Sequence, residues 1–268
     1  MSDPLTQLRA ACALVAERAE RVRLIPEVIP GYAAALPAAS PSAGGDEGAA
    51  SAGPDAMPPS RPAPECAYWI TLDAINFGSG WFPTLRKAAG RSGYFTIAQG
   101  LRERFTRHGP WTAEQLAEIS PREVAQTLGQ DPRHELMQLF ARSLRDLGTR
   151  LGCEHGGSFS ALIDGAGGSA VALVEQLSGW PCFADRSTYR GIRVPFLKRA
   201  QIAAADVHRT GLVAFSDLRR LTMFADNLVP HVLRLDGLLE FDPVLVQRIE
   251  REQLIEHDSP EEIEIRAC

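Results

Sequence analysis

The chain has 268 residues, 45% of them hydrophobic, and a formal net charge of −5 at pH 7. Its length provides enough apolar material for one large or two small cores, and its acidic balance argues against duplex nucleic acid, which needs a basic surface. No apolar run reaches the roughly 18 residues of a membrane span, and the N-terminus lacks the pattern of a signal peptide.

The cysteines and histidines argue against a disulfide framework and a zinc site. The five cysteines are scattered and odd in number, without a Cys-x-x-Cys pair, and the six histidines lack His-Glu-x-x-His spacing. Such thiols are typical of a reducing compartment, and such histidines form no recognisable ligand set. We therefore expect a cytoplasmic protein that works without a metal or another cofactor.

The N-terminal quarter predicts one helix followed by a segment of unusual composition. Asp3-Pro4 is typical of a helix start, and apolar residues recur at helical spacing to about Arg23. Residues 33–65 are mostly Ala, Pro, Gly and Ser, which cannot bury enough surface to offset their ordering entropy. We expect a disordered insertion there, within a single domain spanning residues 1–268.

The run CAYWITLDAINF at 66–77 is strongly apolar, and its periodicity fits either a helix or a strand. Asp73 and Asn76 are its only strongly polar side chains, and each needs a hydrogen-bond partner if it is buried. Two interpretations of Asn76 remain open. It either caps the turn at residues 78–80 or contacts a bound base.

The middle of the chain predicts a succession of helices. Two capping boxes, Thr112 with Gln115 and Ser120 with Glu123, begin short ones. The clearest helix is predicted to begin at Asp131 and to carry apolar residues along one face for about five turns. We expect this helix to be the central scaffold of a mainly α fold.

The most informative stretch follows, where two carboxylates flank a Lys-Arg pair. Asp185 and Asp226 each follow a Phe-Ala pair, and Lys198 and Arg199 lie between them. Pro195 predicts a helix start just before Lys198, because proline supplies the backbone angle of a first turn. The helix should therefore carry Lys198 toward a neighbouring element.

A second helix is predicted from Ser216 to the break at Pro230, with Asp226 in its last turn. An anion at a helix C-terminus opposes the dipole and needs a positive partner. That partner is either a cation of the protein, such as Lys198 or a nearby arginine, or positive charge that develops on a substrate. The spacing alone leaves both interpretations open.

Four runs are long enough to be specific: TLDAINF at 71–77, FLKRAQIAAAD at 196–206, LTMFADNLVPHVL at 221–233 and EIEIRAC at 262–268. They resemble the queuosine salvage protein family, the queuosine 5′-phosphate N-glycosylases, and the resemblance extends from about Tyr68 onward. It implies a single compact multi-helix domain of glycosylase-like architecture. It also implies a hydrolase that cuts the N-glycosidic bond of queuosine 5′-monophosphate and releases queuine for salvage into tRNA modification.

The resemblance assigns roles to individual residues. Asp226 is implied as the nucleophile or transition-state stabiliser, and Phe224 is implied to pack on the bound base. Asp73, Asn76 and Phe77 form the D-x-x-N-F run, whose place among the family's marked segments favours a position in the base pocket. The family continues beyond the position of residue 268 with aspartate and tyrosine residues that contact queuine. We expect that part of the family domain to be missing here.

The reaction itself sets requirements for the site. Breaking an N-ribosyl bond builds positive charge on the sugar, so an anion is needed beside C1′. Asp226 would either attack C1′ or stabilise the cation while water attacks. Queuine is a 7-deazapurine without an N7 to protonate, so Asp185, among apolar neighbours, is expected to share a proton with another part of the departing base. Lys198 is the first candidate for the 5′-phosphate, with Arg199 and Tyr189 behind it.

Other interpretations remain at this point. Arg199 alternatively forms a salt bridge on the surface. The chain is alternatively a glycosylase that acts on another nucleotide or nucleic-acid base, or a non-catalytic helical interaction or tRNA-binding module. The acidic balance counts against tRNA. We expect a small-molecule substrate, no stable nucleic-acid partner and no membrane contact.

Overall fold

The structure is a computed structural model that describes residues 3–36, 62–87, 90–226 and 228–268. The described residues are mainly α-helical, which confirms the predicted fold class. The helices are α1 (Pro4–Arg18), α2 (Ile29–Ala35), α3 (Pro62–Ala74), α4 (Gly93–His108), α5 (Ala113–Glu118), α6 (Pro121–Leu128), α7 (Glu135–His155), α8 (Phe159–Gly165), α9 (Ala170–Ser178), α10 (Lys198–Arg209), α11 (Leu228–Leu235), α12 (Pro243–Glu250) and α13 (Pro260–Ala267).

In the described parts of the chain, four short strands form two antiparallel ribbons. They are β1 (Val22–Leu24), β2 (Arg186–Tyr189), β3 (Ile192–Pro195) and β4 (Leu239–Phe241), with β1 paired to β4 and β2 paired to β3. The β2–β3 hairpin turns at Arg190 and Gly191, whose φ angles are 47° and 83°. Positive φ at both central residues is the geometry that matches the twist of a tight hairpin.

Helix α7 is the central scaffold, as predicted. Its apolar face is buried along the whole helix, and it packs against α5, α6, α3 and α8. The helix begins at Glu135 and not at Asp131, because the Asp131 carboxylate accepts the backbone N–H of Arg133 at 2.8 Å and closes a separate turn. His134 Nδ1 then caps α7 by accepting the N–H of Leu136 at 3.2 Å.

The N-terminal helix ends earlier than its periodicity predicts. Helix α1 stops at Arg18, and Val22 lies in strand β1. The cause is a distant side chain: Glu264 Oε2 on α13 accepts the backbone N–H groups of residues 20, 21 and 22 at 3.0, 2.6 and 3.1 Å. These hydrogen bonds satisfy the backbone N–H groups in a non-helical conformation. The local sequence does not predict them.

The predicted disordered insertion at 33–65 is helical at both ends. Residues 33–35 continue α2, and residues 62–65 begin α3. Leu36 follows as the C-cap of α2, and residues 37–61 of the insertion lie outside the described residues. Helix α3 also decides the ambiguity of the apolar run at 66–77, since the helix reaches Ala74 and only the last residues leave it.

Helix α10 lies against both α3 and α9. This packing brings the end of α3 next to the beginning of α10, so the polar residues of the D-x-x-N-F run meet the Lys-Arg pair. None of the described helices is long and apolar enough to cross a membrane.

Candidate active site around Lys198 and Asp226

Helix α10 begins in a different way from the one predicted. Pro195 is the last residue of strand β3 and does not open the helix, which begins at Lys198. Leu197 before it has φ 57°, a left-handed conformation that turns the chain sharply. The first-turn N–H of Lys198 is accepted by Asp185 Oδ2 at 3.1 Å. The carboxylate of Asp185, which lies just before β2, therefore caps this helix.

The half-buried Lys198 side chain lies among acidic groups. Its ammonium donates to the backbone carbonyl of Asn76 at 3.5 Å. Burial lowers the pKa of Lys198, and the carboxylates of Asp226, Asp73 and Asp185 oppose this effect. The start of α10 thus directs one cation to a point where three carboxylates from different elements act on it.

Asp226 lies at the start of a helix, so the prediction that placed it at a helix C-terminus was wrong. Its Oδ1 accepts the backbone N–H groups of Leu228 and Val229, each at 2.9 Å. These are first-turn residues of α11, and Asp226 is therefore an N-terminal cap that the helix dipole stabilises.

The predicted helix over 216–229 is replaced by a short turn and an irregular segment. Residues 218–220 form one 3₁₀ turn, and no regular structure extends from 221 to 226. Pro230 does not end a helix; it falls in the first turn of α11, where its missing N–H has no intrahelical partner to lose. The proline signal was real, but it marked a helix start.

Asp185 is engaged by cationic and backbone donors. Arg266 Nη2 lies 2.8 Å from Oδ1 and 2.7 Å from Oδ2, and both side chains are 11% exposed. Together with the N–H of Lys198, these donors match a carboxylate and not a carboxylic acid. The geometry therefore gives no support to the expected proton transfer from Asp185 to a leaving base.

The half-buried Arg199 makes structural contacts, which differ from both the expected phosphate binding and the alternative surface salt bridge. Its guanidinium donates to the carbonyls of Ala74 at 3.0 Å, Ala184 at 3.1 Å and Cys182. It also lies over the ring of Phe77, 4.9 Å from the centroid. Burial lowers the pKa of Arg199. Arg199 thus ties the end of α3 to the turn before β2.

The other aromatic candidates also make structural contacts. Phe77 packs edge-on against Phe140 of α7 with ring centroids 5.2 Å apart. Tyr189 is 1% exposed, and its hydroxyl lies 2.7 Å from Glu264 Oε1 and 2.9 Å from the carbonyl of Arg18. Burial and the Glu264 carboxylate raise the pKa of Tyr189 to about 12. Tyr189 therefore faces α1 and α13, and the structure does not bring it to Lys198.

Asp73 and Asn76 contact each other beneath Lys198. Asn76 Nδ2 donates to Asp73 Oδ1 at 3.2 Å, while Asp73 Oδ2 is buried without a partner among the residues described. Burial raises the pKa of Asp73 well above its ordinary value, and the charge of Asp206 on α10 raises it further. Asp206 is itself buried, and its pKa is raised to about 6. Sequence reasoning missed this acid pair, although Asp206 has helical spacing from Lys198.

Phe224 lines an apolar groove beside the Asp226 turn. The groove lies between α1, residues 222–225, α11, β4 and α13, and it encloses about 620 Å³ of empty space, part of it open to solvent. The side chains that line the groove include Leu8, Cys12, Phe224, Leu233, Ile265 and Arg266.

Arg266 is the second residue that sequence reasoning missed. It lies in the EIEIRAC run, which was noted only as a resemblance. A single buried arginine within such a run is the signal that could have identified it, because buried arginines need several acceptors. It borders both the groove and the carboxylate that caps α10.

One group of side chains within the described part of the chain has the spacing of a metal site: His257, Asp258 and Glu262. His257 and Asp258 are exposed, and Glu262 pairs with Arg266 at 3.1 Å. The group spans the surface turn before α13 and the first turn of that helix. It lies outside the set of residues around Lys198.

Comparisons with known proteins agree with the resemblance. The sequence profile described as queuosine salvage protein matches residues 57–268. A protein of Sphaerobacter thermophilus, named queuosine 5′-phosphate N-glycosylase/hydrolase, is 40% identical over 210 residues, covering 75% of this chain and 65% of the relative. Proteins of the same name from Dictyostelium discoideum and Mus musculus are 31% identical over 207 residues and 29% identical over 224 residues.

The aligned regions cover 75% and 78% of this chain, and 61% and 66% of the Dictyostelium and mouse proteins respectively. The chain thus spans just under two thirds of the length of these curated relatives. The match to the family profile covers most of the chain and includes the four runs quoted above. The chain belongs to the queuosine salvage protein family.

Proposed function

We propose that this protein hydrolyses the N-glycosidic bond of queuosine 5′-monophosphate and releases queuine. Membership of the family and the names of the relatives support this reaction and this substrate. The observation that supports the proposal most is that Asp226, which caps the start of α11, is the carboxylate that most favours the charged form of Lys198 at the start of α10. We also propose that the protein is cytoplasmic. Its five cysteines are free thiols, which are typical of a reducing compartment.

Asp226 has the properties that the reaction needs. The ribose becomes positively charged as the base departs, so a fixed anion beside C1′ lowers the barrier. Helix α11 holds Asp226 through Oδ1, and no hydrogen bond to Oδ2 occurs among the residues that the structure covers. Oδ2 would face C1′ and either attack it or stabilise the cation while water attacks.

The fixed position of Asp226 is an advantage for catalysis. A carboxylate held by two backbone N–H groups needs little reorganisation when the sugar cation forms. Phe224, two residues earlier, lines the adjacent groove and would pack on the base.

Lys198 is the proposed cation for the 5′-phosphate. Asp73 and Asn76 would support it from below, since Asn76 both accepts from its ammonium and donates to Asp73. Replacing Lys198 with alanine should raise KM for the monophosphate at least about tenfold more than for free queuosine, because the nucleoside has no phosphate to lose. The exposed Lys87 is the matched control, and Lys87→Ala should change neither KM.

The decisive experiment uses the purified chain and Asp226→Asn. Mass spectrometry should detect queuine when the wild type is incubated with queuosine 5′-monophosphate, and the variant should be slower by about 100-fold or more. Asparagine is as good a helix cap as aspartate, so the variant should still fold. Guanosine and 2′-deoxyguanosine monophosphates are tested in parallel. Folded wild type that releases no queuine, or that releases guanine equally well, would refute the proposed function.

A further inference from the structure

One arginine, Arg266, is hydrogen-bonded both to the carboxylate that caps Lys198 and to the backbone just before Asp226. We propose that Arg266, acting through Asp185, is a positioning residue that holds Lys198 and Asp226 in the mutual geometry needed for hydrolysis. This inference rests on the proposed function and adds a role that neither the family resemblance nor the names of the relatives assign.

The first half of the contact fixes the start of α10. The Asp185 carboxylate accepts the backbone N–H of Lys198 at 3.1 Å and is held by Arg266 at 2.7 and 2.8 Å. Since Leu197 before the helix is in a left-handed conformation, the first turn of α10 depends on this cap for its direction. Moving Asp185 would therefore redirect the Lys198 side chain.

The second half of the contact fixes the approach to α11. Arg266 Nε donates to the carbonyl of Ala225 at 3.0 Å, and that carbonyl belongs to the peptide bond that leads into Asp226. The segment from 221 to 226 has no regular structure of its own, so its position depends on bonds such as this one. One guanidinium thus connects the backbone before Asp226 to the carboxylate that caps Lys198.

A second bond from α10 supports the same segment at its other end. The fully buried Gln201 accepts the backbone N–H of Thr222 at 2.7 Å and its hydroxyl at 3.0 Å through the same Oε1. The residues between Thr222 and Asp226 are therefore attached at one end directly to α10 and at the other end through Arg266 and Asp185. Because of this double attachment, we expect the distance between Lys198 and Asp226 to stay fixed.

The chemistry of the contact requires an arginine. The guanidinium of Arg266 lies 3.9 Å from the centroid of the Phe196 ring, and its other nitrogen donates to Glu262 at 3.1 Å. A planar fork with several donors can satisfy three acceptors while it stacks on an aromatic face, and the single ammonium of a lysine cannot. Arg266→Lys keeps the charge and removes this geometry.

The test compares kcat and KM for queuosine 5′-monophosphate in Arg266→Lys, Arg266→Ala and Asp185→Asn. We expect kcat to fall about 10- to 100-fold in each because Asp226 is misaligned, and KM for the monophosphate to rise more than KM for free queuosine because Lys198 is redirected as well. Added guanidinium at millimolar concentration should restore kcat several-fold in Arg266→Ala and have no effect on the wild type. Arg248→Ala is the control, since Arg248 forms a comparable ion pair with Glu261 outside the site.

A second readout separates this proposal from the proposed function. Hydrogen exchange of the backbone amides at 222–229 should be at least about tenfold faster in Arg266→Ala than in the wild type, whether or not queuine is released. If the wild type releases no queuine, the proposed function fails and the exchange result alone decides whether the contact fixes the segment. Unchanged kcat in folded Arg266→Lys, or a loss of activity that only follows a lower folded fraction, would overturn the positioning role. If Arg266→Ala does not fold, Arg266→Lys and Asp185→Asn decide the result.

Discussion

The buried acid pair of Asp73 and Asp206 should make the protein less stable as the pH rises. Asp73 on α3 is 0% exposed and Asp206 on the adjacent α10 is 6% exposed. Burial raises the pKa of Asp206 from an ordinary value of 3.8 to about 6, and the nearby positive charge of Arg209 only partly opposes this. Asp206→Asn removes the acidic group and nearly preserves the side chain's shape.

The direction of this change in stability depends on whether the folded or the unfolded state holds the proton. A carboxyl group with a higher pKa in the folded state keeps its proton while the unfolded chain has already lost it, so the free energy of unfolding decreases between about pH 4 and pH 6. A difference of about two pH units at about 1.4 kcal/mol each gives about 3 kcal/mol for Asp206. The ion pair with Arg209, whose side chain is 69% exposed, is already part of this difference, because the positive charge of Arg209 limits the rise in the pKa of Asp206.

Asp206→Asn should therefore be about 3 kcal/mol more stable than the wild type at pH 7, and this difference should disappear near pH 4. Urea unfolding at a series of pH values between 4 and 8 measures it, provided that the m-value is unchanged. The exposed Asp164 gives the control Asp164→Asn, which should follow the wild type at every pH. Parallel stability curves for Asp206→Asn and the wild type would refute the reasoning.

Three further substitutions test contacts that determine the fold around the site. Gly148→Ala should lower the free energy of unfolding by about 2 kcal/mol or more, because a Cβ at Gly148 would meet the α5 backbone, 2.5 Å from the carbonyl of Ala113. Gly152→Ala on the exposed side of α7 is the control and should change thermal stability little. Arg199→Met should cost about 3 kcal/mol in urea unfolding, since three carbonyls lose their donor; a loss of phosphate affinity without loss of stability would contradict this structural role. Tyr189→Phe should cost about 1 kcal/mol and leave KM for the monophosphate unchanged, whereas a raised KM would return Tyr189 to the substrate site.

Sequence alone identified the elements whose causes lie within a few residues. The capping boxes at Thr112 and Ser120 begin helices as predicted, because each cap bonds to a backbone group three residues away. The apolar stripe of α7 is confirmed for the same reason, since side-chain period and backbone period coincide in a helix. The mainly α fold and the family followed from such local patterns and from four contiguous runs.

Sequence reasoning placed Asp226 at the wrong end of a helix. Ser216 resembled a cap and Pro230 resembled a stop, yet the segment between them takes its hydrogen bonds from Gln201 and Arg266 and forms no long helix. The backbone of residues 222–226 is determined by these two side chains from other elements, and periodicity carries no information about them.

The sequence by itself determined the helical class, the helix starts that carry capping boxes and the family of this protein. The tertiary structure decided which candidates interact: it exposed Lys198 to the charge of Asp226, directed Tyr189 to Glu264, and engaged Asp185 with Arg266, 81 residues further along the chain. The physical reason is that buried carboxylates and guanidinium groups must find partners wherever the packed helices supply them. Those partners are set by packing between distant segments and not by spacing along the chain.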